Sequence, residues 1–243
     1  MAGWGNLGDT GLTAAVLEEP AVAPSGSHAN SLIFTGRTWP LFGRTLLVAL
    51  AQYEVVPSPW ANTAFYRWFV HRIVLPNGKA VGFAGKPGDI WWAFMLLALS
   101  AYANAIHDLL VLAVLPLTVW LYIVIMRWVF ANLIWAGRAA PLRFTGGYWG
   151  LLGWMALSIV SILTIIGWAW AMNAMMRWIC RHVEGSSQRL DFVATGWNTL
   201  WRTFAFSFLC ILIIPIPWLL RWYTRWMVAQ FVLVPRAGTA VAA

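Results

Sequence analysis

The chain has 243 residues, of which 61% are hydrophobic and 10% are charged, and its formal net charge is +8. Soluble domains carry about 25% charged residues, so this composition excludes an ordinary soluble globule, which needs a polar surface. Together with apolar runs near the roughly 20 residues that a bilayer demands, it predicts an all-α, polytopic transmembrane helical bundle of about five or six crossings.

Residues 1–32 are rich in Gly, Ala and Pro and contain no continuous apolar core. This pattern predicts a mobile N-terminal tail rather than a cleavable signal peptide. In the rest of the chain the basic residues are spread among apolar and Trp-rich segments, with no run of them. Anionic membrane lipids are therefore the predicted partner, and nucleic acid is not. The 19 tryptophans are predicted to lie mainly at membrane–water interfaces.

From residue 33 onward the chain matches itself at a spacing of 110 residues. The F-T-G-x-x-W sequence at 34–39 recurs at 144–149, and the Arg-Trp pair beginning at Arg67 recurs at Arg177. At a shorter spacing, the pair beginning at Arg127 recurs at Arg225. These matches predict two tandem repeat units. The predicted bounds are 33–135 for the first unit, 136–142 for the linker, 143–234 for the second unit and 235–243 for a C-terminal tail.

Each unit is predicted to open with a long apolar helix, at 40–57 and 147–170. A segment bearing Arg and Trp follows, at 60–74 and 170–183, and its composition suits a helix that lies at the headgroups. The apolar run 90–134 is then long enough for two crossings. In the second unit Pro215 and Pro217 interrupt the corresponding run, because proline cannot continue a helix.

These elements carry a family resemblance. F-T-G-x-x-W, then P-W-A or W-A-W-A-M ahead of an R-W segment, then a second F-x-G, all within a duplicated chain, resemble the YjgN family of bacterial inner-membrane proteins over about 33–234. The resemblance implies a multi-pass location in the bacterial inner (cytoplasmic) membrane. It implies no established biochemical activity and transfers no catalytic residues.

The basic residues predict conflicting orientations for the two units. The 58–88 loop is predicted to be cytoplasmic, since Lys and Arg favour that side. Three crossings in the first unit would then place the equally basic loop of the second unit outside. Two alternatives remain: the units are inverted copies, as in many transporters, or an even number of crossings within 90–134 makes them parallel.

Polar residues within apolar runs are the first candidate sites, because charge at membrane depth is costly. Glu54 could bind a cation or a proton, and Asn104, His107 and Asp108 could relay protons. The structural alternatives are a carboxylate that reaches the interface and a solvent-facing turn between two helices.

The repeat-matched arginines are the second set of candidates. Arg67, Arg177, Arg127 and Arg225 each precede a tryptophan. They are predicted to bind a lipid headgroup or an anionic substrate, since guanidinium pairs well with phosphate. The alternative is general anchoring at the membrane interface.

Signatures of catalysis are missing from the sequence. There is no G-x-S-x-G, H-E-x-x-H, P-loop or dinucleotide-binding fingerprint, and Cys180 and Cys210 are interpreted as small buried hydrophobes. We therefore predict no enzymatic activity, no cofactor and no metal site. The predicted function is transport or binding of an anionic or amphipathic solute or lipid. The alternative is an accessory subunit that packs against a larger membrane protein complex.

Overall fold

The computed structural model describes residues 30–106, 108–135, 142–162, 164, 166–185 and 188–235. Most of these residues are helical, as predicted. The helices alternate with short strands in one repeated order: a strand, two helices that form a hairpin, and a second strand that pairs antiparallel with the first. We call each such unit a module. The sequence patterns predicted an all-α fold and did not predict the strand pairs.

Each predicted repeat unit contains two modules. The first module comprises β1 (Ile33–Phe34), α1 (Thr38–Glu54), α2 (Ser58–Val70) and β2 (Ile73–Val74). The second comprises β3 (Gly82–Phe83), α3 (Pro87–Ile106), α4 (Asp108–Ala131) and β4 (Leu133–Ile134). The third comprises β5 (Arg143–Phe144), α5 (Tyr148–Ile162), α6 (Trp168–Arg181) and β6 (Val183–Glu184). The fourth comprises β7 (Gln188–Phe192), α7 (Gly196–Cys210), α8 (Ile216–Ala229) and β8 (Phe231–Pro235).

The returning helices correct two predictions. The predicted single helix 147–170 is wrong, because α5 ends at Ile162 and α6 begins at Trp168. Between them the Thr164 hydroxyl accepts the backbone N–H of Gly167 at 3.0 Å, which takes this N–H out of the helical ladder. The segments 60–74 and 170–183 are not surface-lying helices either. They fold back as α2 and α6 and pack against α1 and α5.

The same backbone hydrogen bond closes every module beside its strands. The residue after each strand phenylalanine donates its backbone N–H to a carbonyl just beyond the second helix of the same module. The four bonds are Thr35 to Arg72 at 2.9 Å, Ala84 to Asn132 at 2.9 Å, Thr145 to His182 at 2.8 Å and Val193 to Gln230 at 3.0 Å. The two ends of each hairpin are therefore held side by side.

The modules pack one after another into a closed ring. Helix α2 packs against α3, α4 against α5, α6 against α7, and α8 packs back onto α1. Backbone hydrogen bonds seal the closure: Leu32 N–H to Phe231 at 3.0 Å, and Leu233 N–H to Asn30 at 3.0 Å. Ser31 and Leu32 are buried in this seam, so the predicted mobile tail is wrong at these residues. Residues 1–29, 136–141 and 236–243 of the predicted tails and linker lie outside the described residues.

The strands of all modules meet at one end of the ring, which we call the strand rim. Phe34 and Phe83 share one buried cluster with Val228, so it joins the first, second and fourth modules. Phe144 of the third module is buried in a second cluster, and Leu133 and Trp135 pack against both. The opposite ends of the hairpins, where the two helices join, are the tips.

The predicted five or six membrane crossings are not supported by the helices. Within the described residues, one helical stretch, Ala113–Ala131 with 19 residues, is long and apolar enough to cross a bilayer. The run 90–134 leaves the rim and returns to it, because β3 pairs with β4. Which of the two orientations considered above holds in a membrane stays a prediction.

Candidate anion-binding cavity

An Arg-Trp pair stands near the end of the second helix of every module. In the first three modules the tryptophan ring meets the strand phenylalanine edge-on, with interplanar angles of 77°, 77° and 78°. In the fourth, Trp226 packs on the cluster around Phe192. Aromatic pairs of this kind add about 0.5–1.5 kcal/mol beyond burial. These tryptophans therefore hold the strand rim together.

Arg67 and Arg177 connect neighbouring modules. Nη2 of Arg67 donates to the carbonyl of Gly85 at 3.1 Å, and Nη2 of Arg177 donates to the carbonyl of Ala194 at 2.9 Å. Gly85 and Ala194 hold the same position, two residues after the strand phenylalanine of the next module. Each of the two arginines thus has a backbone partner within its own repeat unit. Anion binding by Arg67 and Arg177 stays a prediction.

Replacing Arg177 by glutamine should lower the free energy of unfolding by about 1–2 kcal/mol, because a charged donor to the Ala194 carbonyl is lost. Thermal unfolding of the detergent-solubilised protein, followed by circular dichroism, measures this change. Arg181→Gln is the matched control: Arg181 is exposed at the end of α6 and should change stability by less than about 0.5 kcal/mol. Equal stability of the two variants would contradict the bridging role.

Arg127 and Arg225 occupy the boundaries between the two repeat units, and each lines a cavity. The Arg127 cavity, of about 960 Å³, lies between the second and third modules and also contains Arg143 and Glu184. Arg143 and Glu184 face each other directly in the β5–β6 pair. Opposite charges in this arrangement offset each other, so among the described lining residues Arg127 is the one cation left without an opposite charge.

The Arg225 cavity lies between the fourth and first modules, and we call it the seam cavity. Its volume is about 800 Å³, and among the described residues Arg202, Arg221 and Arg225 line it without any acidic side chain. The remaining walls come from the start of the first module, the first turn of α7 and one side of α8. Three positive charges therefore share one space at the closure of the ring.

Arg202 is held between two tryptophans of α8. Its guanidinium carbon lies 5.4 Å from the ring centroid of Trp222 and 5.1 Å from that of Trp226, within the range of a cation–π interaction. Burial lowers the pKa of Arg202 below its ordinary value, because the charged form has lost part of its hydration. An anion in the cavity would compensate for that loss.

Arg221 contains a buried donor without an acceptor. Its Nε atom has no hydrogen-bond partner among the described residues, and such a group costs about 1–3 kcal/mol of stability. The position is four residues before the arginine of the Arg-Trp pair, where the other modules have Thr63, Ile123 and Asn173. Asn173 there accepts a hydrogen bond from the Thr199 hydroxyl at 2.9 Å. Only the fourth module places a cation at this buried position.

The sequence analysis predicted Arg225 as a candidate and missed Arg202 and Arg221. The sequence did contain a signal for Arg221. Tryptophans recur every four residues from Trp218 to Trp226, and Arg221 and Arg225 are also four residues apart. Residues four apart lie on one side of a helix, so α8 carries parallel rows of indole and guanidinium groups. No comparable pattern marks Arg202.

Among the polar intramembrane candidates, the structure describes the side chain of Glu54 only, and it does not line the seam cavity. Glu54 is exposed at the last residue of α1, at a hairpin tip. Asn104 belongs to the end of α3 and Asp108 begins α4. His107 and the side chains of Asn104 and Asp108 lie outside the described residues. Cation binding or proton relay at these residues stays a prediction.

Of the two cysteines, Cys180 fits the interpretation as a small buried hydrophobe. Cys180 is buried, and this burial raises the pKa of its thiol to about 12, so the reactive thiolate is absent at neutral pH. Cys210 is half-buried in α7. Within the described part of the chain, no group of three or more His, Cys, Asp and Glu side chains is placed to hold a metal ion.

No protein-family model, curated protein or solved structure matches the chain. The YjgN resemblance therefore stays a prediction from short motifs.

Proposed function

We propose that this chain is a non-enzymatic integral membrane protein that enters the bilayer from one side and binds anionic lipid at its strand rim. The observation that carries the proposal is the separation of most exposed basic residues from the apolar surface of the hairpin tips, where Glu54 is an exposed acidic residue. Exposed basic residues lie at or near the strands, for example Arg37, Arg72, Lys79, Lys86, Arg143, Arg181 and Arg189. The large exposed apolar side chains extend away from them to the tips.

The tip of the fourth hairpin shows the apolar end most clearly. Ile211, Leu212, Ile213 and Ile214 are 72%, 61%, 73% and 82% exposed. Apolar surface in water costs about 25 cal/mol per Å², and a contiguous patch of this kind marks a membrane or protein contact. The sequence between Arg202 and Arg221 contains no charged residue that would make this surface more polar. Hydrocarbon around the tip would remove the free-energy cost of exposing it to water.

The backbone of the same tip also suits a surrounding without water. The N–H groups of Ile211, Leu212, Ile213, Ile214 and Ile216 all donate to carbonyls of the tip and the preceding turn. The two prolines of the tip have no N–H group to satisfy. Because an unsatisfied backbone group in lipid costs several kcal/mol, this internal bonding of the N–H groups supports a tip that lies in hydrocarbon.

One residue in this tip, Ile213, adopts a positive φ of 58°, and Val55 in the first tip has a φ of 59°. This conformation is strained for a β-branched residue. At both positions the backbone closes a tight turn, with Val56 N–H donating to Glu54 and Ile214 N–H donating to Leu212. In lipid, the hydrogen bond that each turn gains offsets the strain of the positive φ.

The helix lengths determine how deep each hairpin reaches. Helices α7 and α8 have 15 and 14 residues, which span about 21–23 Å, less than the roughly 30 Å of a hydrocarbon core. Helices α5 and α6 have similar lengths. Helix α4 has 24 residues, about 36 Å. We therefore propose that the second hairpin reaches across the bilayer, while the third and fourth are embedded without crossing it.

The strand rim then lies on the cytoplasmic side of the bacterial inner membrane. In this orientation the basic loops of both repeat units satisfy the preference of Lys and Arg for that side. Each basic residue near an anionic leaflet contributes about 1 kcal/mol of attraction. The alternative of an accessory subunit was based on the small size of the chain, its many tryptophans, its sparse polar interior and its N-terminal tail, and it stays a prediction.

Cysteine accessibility tests the proposed insertion. Lys79→Cys and Arg189→Cys place a thiol on the rim of each repeat unit, and Ile213→Cys places one at a tip, all in a Cys210→Ala background. In sealed membrane vesicles of known orientation, a membrane-impermeant maleimide should label both rim cysteines from the same side and the tip cysteine from neither. Labelling after denaturation in detergent serves as the control for thiol reactivity.

Two results would contradict this insertion. Labelling of the two rim cysteines from opposite sides would establish inverted repeat units instead. Labelling of the tip cysteine in intact vesicles would show that the fourth hairpin ends in water.

A further inference from the structure

We propose that the seam cavity is a binding site for the phosphate group of an anionic amphiphile. The inference deepens the proposed function, on which it rests, by assigning one dedicated site to a lipid-like ligand in addition to the general attraction of the rim. Arg202, Arg221 and Arg225 supply the charge, and the described residues of the lining include no carboxylate to neutralise it.

The cations are arranged to receive an anion. A cation–π contact uses no hydrogen-bond acceptor, so the Arg202 guanidinium is positioned by Trp222 and Trp226 while its N–H groups remain available as donors. The Nε of Arg221 is a buried donor that lacks an acceptor. A phosphate offers several acceptor oxygens and pairs with guanidinium groups in a bidentate manner. It would satisfy both groups at once.

Neutral donors and a helix end add to the same space. Thr195 caps the start of α7, where its hydroxyl accepts the N–H of Asn198 at 3.4 Å, and both residues line the cavity. The positive end of the α7 dipole therefore faces the arginines. Gln230 lines the cavity at the rim. These groups favour a negative ligand but are secondary to the three guanidinium groups.

Tryptophan rings continue the cavity from the arginines along α8 toward the tip, which favours an amphiphile as the ligand. Arg225 lies four residues before the rim end of α8, Arg221 lies one turn deeper, and Trp218 lines the cavity nearest the tip. Trp218 also contacts Trp39 of α1, with ring centroids 5.6 Å apart, and both rings are largely exposed. An acyl chain attached to a phosphate at the arginines could extend along these rings toward the tip.

The site is specific to one boundary of the ring. The pseudo-equivalent cavity at Arg127 contains Glu184 opposite Arg143, and its helix has Ile123 where α8 has Arg221. We therefore expect one phosphate site in each chain.

A lipid titration tests this site in the full-length protein. Dihexanoyl phosphatidic acid is soluble, so its binding to delipidated protein in neutral detergent can be measured by native mass spectrometry without a bilayer. The wild type should bind one molecule. The double variant Arg202→Gln, Arg221→Gln should bind about 10- to 100-fold more weakly, because two charge-assisted contacts are lost.

The repeat supplies a matched control. Arg44 in α1 holds the position of Arg202, eight residues after Gly36 as Arg202 is eight after Ala194, and its guanidinium carbon also lies 5.1 Å from the tryptophan of its Arg-Trp pair. Arg44 does not line the seam cavity. Arg44→Gln should therefore bind the lipid as the wild type does. If Arg202→Gln, Arg221→Gln fails to fold, Arg225→Gln, at an exposed residue, replaces it and should weaken binding about tenfold.

Competition by inorganic phosphate distinguishes a lipid phosphate group from free phosphate as the ligand of the seam cavity. Displacement of the lipid by millimolar phosphate would show that phosphate alone fills the site, whereas no displacement would show that the acyl chain is required. Unchanged lipid affinity in the arginine variants would overturn the proposal, as would an equal loss in Arg44→Gln. Since no bilayer is present, these results do not depend on how the protein is inserted.

Discussion

Replacing Phe144 by alanine should lower the free energy of unfolding by about 3–5 kcal/mol. The side chain is 2% exposed and joins two modules. It meets Trp178 of its own module edge-on, and it stacks on Phe130 of the preceding module at a centroid distance of 6.0 Å. Alanine would leave a cavity at the boundary between the repeat units, where both rings lose their partner.

Denaturant titration of the detergent-solubilised variant measures this loss. Trp149→Ala is the control, because Trp149 is 79% exposed although it is a larger aromatic residue five positions away. It should cost less than about 1 kcal/mol. A loss at Phe144 no greater than that at Trp149 would show that the strand rim does not hold the modules together.

Replacing Gly85 by alanine should cost about 1–3 kcal/mol through overpacking. A Cβ atom built at Gly85 would lie 2.6 Å from the ring tip of Phe83 and 2.6 Å from the indole of Trp128. Neither ring can move away freely, since both belong to the buried contact that closes the second module. The new methyl group therefore has to displace one of them.

Gly43→Ala is the matched glycine control. Gly43 lies within α1 and has no atom within 4 Å of a built Cβ, so alanine there should stabilise the protein by up to about 1 kcal/mol. Opposite shifts of the melting temperature are thus expected for the same substitution. A Gly85→Ala variant that melts at or above the wild-type temperature would contradict the close packing of Phe83 and Trp128.

The sequence predicted the helices better than their arrangement. R-W occurs in both halves of each repeat unit and F-x-G in three of the four halves, yet the matches were found only between the two units. The reason is that α3 and α4 have 20 and 24 residues, whereas α1 and α2 have 17 and 13. Unequal hairpins shift the second copy by a variable amount, so a search at constant spacing finds two units instead of four modules.

The candidate site was harder to predict for a different reason. Arg225 was visible because it has a repeat partner, but Arg202 and Arg221 become neighbours of the first module only when α8 packs on α1. Sequence periodicity reports which residues share a helix face and cannot report which distant helix covers that face. The positive charge of the cavity is therefore a property of ring closure.

Ring closure also determines the order in which parts of the fold can form during synthesis. The first three modules can pair their own strands as they leave the ribosome, since each pair is joined by one local hairpin. The bonds from Phe231 and Leu233 to residues 30–32 connect nearly opposite ends of the described chain and must wait for β8 to be made. A nascent chain that stops before α8 has neither the seam nor Arg221 and Arg225. The proposed anion site thus forms only after α8 has been made.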